Sequence, residues 1–139
     1  MSSSPIEPAL RSLLTVRVSQ INHCPFCVDI NSATLMKRGV SSDKVEALDR
    51  WRHSNLFSAR EQAALDYAEA MTCSDRSVDD TLMAQLKQHF DDDAIVELTG
   101  LVAFQNLSSK FNSALDVAPQ GFCRVHQPVQ QAQPGTLQA

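Results

Sequence analysis

The chain has 139 residues, 43% hydrophobic and 20% charged, with a formal net charge of −4 and a pI near 5.4. That length suffices for one domain with a buried core, and the acidic balance argues against nucleic acid or an anionic membrane surface as a partner. No apolar run approaches the roughly 20 residues of a spanning helix. The start, Met-Ser-Ser-Ser-Pro-Ile-Glu-Pro, lacks a basic region followed by an apolar stretch, so a cytoplasmic protein with reduced thiols is expected.

Residues 1–7 read as a loose arm. Leu10, Leu13, Leu14, Val18 and Ile21 recur at three- and four-residue spacing, which predicts a first helix over about 8–22. A second helix is expected over about 24–38, stopped by Gly39, a residue suited to the left-handed C′ position. Asn22 or His23 falls near its N-cap, and Pro25 is tolerated in a first turn whose amides have no intrahelical partner. Ser41-Ser42-Asp43 opens a third helix, with Asp43 and Glu46 as a capping pair and Val45, Leu48 and Trp51 on one face. A turn follows over 53–57.

Ser58-Ala59-Arg60-Glu61 is a capping box and starts a fourth helix, whose Ala64, Leu65, Ala68 and Met71 face inward. The fifth covers about 78–90, with Leu82, Met83, Leu86 and Phe90 apolar. Asp91-Asp92-Asp93 reads as the acidic N-terminus of the sixth helix, about 92–116, rather than as a metal site. Residues 95–104 are almost wholly apolar, which implies burial on several sides, and the following Gln105-Asn106-Leu107-Ser108-Ser109-Lys110-Phe111-Asn112 turns polar. Pro119 ends the domain, leaving 119–139 as a flexible tail rich in Gln and Pro. With no alternating strand pattern and no Gly-rich phosphate loop, the chain reads as all-α, about six helices in one domain over 8–118.

The chemistry concentrates in His23-Cys24-Pro25-Phe26-Cys27. A helix N-terminus offers unpaired amides and about half a positive charge, which favour a thiolate, the nucleophilic form. Two cysteines three apart share a helix face, so one can attack a peroxide or disulfide and the other resolve the product. A structural pair or half of a metal site are the alternatives. Zinc needs four ligands, whereas Cys73 and Cys123 are single and distant, and His23 can hardly chelate beside Cys24. No metal and no cofactor is expected. Cys73 reads as a small buried residue and Cys123 as a tail thiol, or both as extra resolving thiols; Asp29 reads as surface.

The segment from Val18 to Asp29, the block Trp51-Arg52 with Leu56-Phe57-Ser58-Ala59-Arg60-Glu61, and Glu97-Leu98-Thr99 through Asn106 together resemble the AhpD-like, carboxymuconolactone decarboxylase superfamily over about residues 8–118. The resemblance implies an antiparallel helical bundle and a homo-oligomer, trimer or hexamer. It implies a thiol-dependent peroxidase or disulfide oxidoreductase acting on a hydroperoxide, with a protein or small-thiol electron donor. Cys27 maps to the more reactive thiol and Cys24 to its disulfide partner. The family pattern, Cys-x-x-Cys-x-x-x-His with a Glu twelve residues before the first cysteine, meets Asn31 and Ser12 here. Neither titrates near neutral pH. Asn31, one turn past Cys27, is suited to donate a hydrogen bond to a thiolate, and Ser12 to hold a water. His23 is the nearest titratable group, read as a substitute base or as a solvated side chain. A cofactor-free lactone decarboxylase and a non-enzymatic redox-sensing module are the competing readings.

Overall fold

The computed structural model describes residues 4–123, and among them helices are the only regular secondary structure. In chain order these are α1 (Pro8–Ile21), α2 (Pro25–Lys37), α3 (Ser42–Ala47), a 3-10 segment (Leu48–His53), α4 (Ala59–Thr72), α5 (Asp80–Lys87) and α6 (Asp92–Ala114). The all-α, six-helix expectation is met. Of the tail expected over 119–139, residues 124–139 lie outside the described residues.

Helix α1 is the hub. Leu10, Leu13, Leu14, Val16 and Val18 are buried around more than one of its faces, and it packs against α2, α4 and α6. Local signals in the sequence fix most of the boundaries. Ser58 accepts from the Glu61 N–H while the Glu61 carboxylate accepts from the Ser58 N–H, so the capping box at α4 is complete. Asp91 caps α6 through the Ala94 N–H at 2.9 Å, with Asp92 and Asp93 in the first turn where the helix dipole favours them. Gly39 takes φ +92° just past the end of α2.

Three expectations change. The cap of α3 is Ser41, which accepts from the Lys44 N–H at 3.2 Å; the Asp43–Glu46 pair lies inside the helix. The arm is not loose over 4–7: Ile6 is buried, Glu7 pairs with Arg60, and Ser4 meets Glu97. Within one chain α6 is covered on one side only, short of the several sides expected. Val96, Phe104, Leu107, Phe111 and Leu115 are 71, 66, 64, 61 and 63% exposed. Their spacing sets them in one stripe facing away from α1, while Ile95, Leu98 and Val102 fill the core. A period of 3.6 supplies both faces, and this chain covers only one of them.

A buried carboxylate ties the 3-10 segment to α4 and α1. Glu69 accepts from Arg17 Nε at 2.8 Å, Trp51 Nε1 at 2.9 Å and Arg52 Nη2 at 3.0 Å. Burial alone would raise its pKa, but the Arg17 and Trp51 hydrogen bonds and the two guanidinium charges hold it below the ordinary carboxylate value.

Candidate functional site at the start of α2

The chain leaves α1 through Asn22 and turns at His23, whose φ of +54° is left-handed. Cys24 then stands as the N-cap of α2, with Pro25 in the first turn. The cap is therefore the first cysteine itself rather than Asn22 or His23. Its Sγ accepts from the Cys27 N–H at 3.2 Å, the bond a Ser or Asp would otherwise make. Both cysteines are free thiols, 0% and 2% exposed.

The two sulfurs do not have equal environments. Burial pushes the Cys24 thiol up to about 11, and its hydrogen bond to Cys27 adds to the rise against the opposing Cys27 and Phe26 amides. Cys24 is thus kept protonated at neutral pH, and it meets Cys27 as a donor. From the other side, Asn112 Nδ2 on α6 reaches Cys27 Sγ at 3.6 Å.

The polar half of α6 holds this turn in place. Asn22 Nδ2 donates to Asn106 Oδ1 at 2.9 Å and to Ser109 Oγ at 2.8 Å. Gln105 donates to Ser19 on α1 at 3.0 Å, and Ser113 Oγ donates to the His23 carbonyl at 3.0 Å. Gln105, Asn106, Ser109, Asn112 and Ser113 lie at helical spacing on one face, so the polar run noted in the sequence is the clamp of the cysteine turn.

Of the sequence candidates, the structure brings Cys24 and Cys27 together. Asn31 sits one turn further along α2, half-buried, and its side chain makes no hydrogen bond among the described residues. His23 is exposed; its backbone is engaged, while its imidazole bonds nothing among the described residues. Ser12 is buried, but its hydroxyl accepts from Arg38 Nη1 at 2.8 Å, just past the C-terminal end of α2. Its polar contact is therefore with that guanidinium and not with a thiol.

Two groups were not singled out by sequence reasoning. Asn112 is one. Asp29 is the other, expected on the surface yet only 5% exposed. Its Oδ2 accepts from the Gln120 and Phe122 N–H groups at 3.0 and 2.9 Å, and its Oδ1 from the Cys123 N–H at 2.7 Å. Burial would raise its pKa, but the Phe122, Cys123, Gln120 and Gly121 amides outweigh that and hold it below the ordinary value. Residues 120–123, expected to begin a tail, are instead strapped across α2. Cys123 is buried, its Sγ 3.8 Å from Met36 Sδ, and is not a tail thiol. Cys73 is half-buried at the end of α4.

No helix of the described residues is long and apolar enough to cross a membrane. The carboxymuconolactone decarboxylase family model matches residues 1–70. YnjA of Escherichia coli K12 is 49% identical over 122 residues, spanning 88% of this chain and 67% of that protein. YdfG of Bacillus subtilis 168 is 29% identical over 113 residues, 81% of this chain and 77% of the relative. Among solved structures, a protein from Agrobacterium tumefaciens described as a candidate AhpD antioxidant defence protein superposes with TM-score 0.81 at 26% identity, over 84% of this chain and 80% of that one. The debrominase Bmp8 shares the fold, with TM-score 0.76 at 23% identity over 86% of this chain and 64% of its own. The helical bundle, the cysteine turn and these matches agree: the chain belongs to the carboxymuconolactone decarboxylase family, within the AhpD-like superfamily.

Proposed function

We propose that this protein is a thiol-dependent peroxidase and disulfide oxidoreductase in which Cys27 attacks and Cys24 resolves. One observation carries the reading: two free thiols occupy the cap and first turn of one helix, the cap thiol held protonated and the other within reach of a neutral donor. The likeness to the AhpD-type Agrobacterium protein supports it. The Cys27 thiolate attacks the terminal oxygen of a hydroperoxide, the O–O bond breaks, and the alkoxide leaves with a proton from solvent. Cys27 is then a sulfenic acid. The Cys24 thiol attacks that sulfur, the S–O bond breaks, and water departs with the Cys24 proton, leaving a Cys24–Cys27 disulfide. An external dithiol, protein-borne or small, reduces the disulfide by two thiol exchanges and is itself oxidised.

Both thiols lie beneath the surface, so the covering side chains part before a hydroperoxide reaches Cys27. With Ser12 and Asn31 at the positions of the family Glu and His, no ionisable relay assists the proton transfers. Turnover is accordingly modest, since a positioned acid–base pair is typically worth ~10²–10⁴ in rate.

Treating the reduced protein with an organic hydroperoxide and mapping its cysteines by mass spectrometry tests the reading. A Cys24–Cys27 disulfide should form in step with peroxide loss, and Cys27→Ser should abolish both. Peroxide consumption that survives in Cys27→Ser sinks the assignment, as does a wild-type pair that stays reduced.

Copies of the chain are proposed to associate through the exposed stripe of α6. A 23-residue helix is about 35 Å long, and a stable interface needs roughly 800 Å² from each partner. Five large apolar side chains, each more than 60% exposed, supply most of that.

A further inference from the structure

We propose that Asn112 is a catalytic residue, its side-chain amide donating to Cys27 Sγ and holding that sulfur as the attacking thiolate. This rests on the peroxidase reading above and names the neutral group that does part of what an ionisable relay would do.

The geometry is specific to this position. Asn112 Nδ2 lies 3.6 Å from Cys27 Sγ, within the longer reach of a hydrogen bond to sulfur. The backbone around it is anchored on both sides. The Asn112 carbonyl accepts from the Val117 N–H at 3.0 Å, and the neighbouring Ser113 hydroxyl grips the His23 carbonyl just before the cysteines. The helix end that carries the donor and the turn that carries the acceptor are therefore fixed to each other. Asn31, the residue at the family's His position, makes no such contact among the described residues.

An amide N–H facing a sulfur favours its charged form over its neutral one, because a hydrogen bond to an anion is stronger than one to a thiol. In the product disulfide the sulfur is neutral and the bond weakens. The interaction thus favours the state that attacks and does not favour the state that follows.

Few other groups compete for control of Cys27. On its own helix Cys24 is a thiol donor, and Asp29 is turned to the 120–123 strap by its three amide bonds. At the hinge His23 is exposed. On α6 and just past it, Lys110 and Asp116 are both exposed. On α1 both ionisable side chains are engaged elsewhere, Arg17 with Glu69 and Gln20 and Arg11 with Glu97.

The test is the pH dependence of Cys27 alkylation, followed by mass spectrometry on the full chain, in wild type, Asn112→Ala and Asn112→Asp. At a pH below the wild-type midpoint, the thiolate fraction should fall about tenfold in Asn112→Ala. It should fall further in Asn112→Asp, which keeps the size of the side chain but sets a carboxylate against the sulfur. A merely structural role would not order the two variants by charge. Unchanged midpoints in Asn112→Asp, with its helical circular dichroism intact, overturn the proposal even if Asn112→Ala fails to fold. A wild-type protein that forms no disulfide with hydroperoxide would sink the peroxidase reading, while the alkylation profile still decides whether Asn112 sets the ionisation of Cys27.

Discussion

Glu69 shows how much one side chain can carry. It is 8% exposed and joins Arg17 on α1, Trp51 and Arg52 on the 3-10 segment, with Arg52 stacked 4.3 Å over the Trp51 ring. A Glu69→Ala change leaves the Arg17 guanidinium half-buried without its partner and the indole N–H without an acceptor. Breaking a buried pair from one side costs about 3 kcal/mol, so the urea midpoint should fall by the corresponding amount. The same carboxylate makes the fold acid-sensitive. Its folded pKa is lowered, so its contribution is fully present above the unfolded value near 4.5 and is lost as pH falls below it.

Helices were legible where the signal is local. The capping box of Ser58 and Glu61, the acidic run Asp91-Asp92-Asp93 at the start of α6 and the Gly39 stop each need residues only a few positions apart, and each stands where the sequence put it. The cysteine pair was legible for the same reason. Asn112 and Asp29 were not, because their partners lie 85 and up to 94 positions away, and no spacing rule reaches that far. The polar composition of late α6 was visible, but not what it touches. At this level the Asp29 strap makes a prediction of its own. Asp29→Ala should free residues 120–123, seen as faster amide exchange there and faster alkylation of Cys123, with α1 and α4 protection kept. Acid should mimic it, since the lowered folded pKa means the strap is secure above the unfolded value near 3.8 and released as pH falls below it. Strap amides that stay protected in Asp29→Ala would refute this.

As a whole, the molecule ends in two unlike faces of one helix. Asn106, Ser109 and Asn112 clamp the cysteine turn, while Phe104, Leu107 and Phe111, interleaved with them, face outward. An exposed apolar stripe of this length is the surface through which the proposed association would run. Phe104→Glu with Leu107→Glu should shift the protein to monomer in analytical ultracentrifugation while leaving helical content unchanged. A wild type already monomeric at micromolar concentration would refute the association.

The strap also bears on how the chain comes to be folded. Asp29 belongs to the second helix to leave the ribosome, yet the amides that satisfy it are among the last described residues to be made. Until they arrive, the carboxylate must stay hydrated, and the strap across α2 cannot form. The strap therefore forms after α1 through α6 have all been made, closing onto a helix whose packing partners are already present.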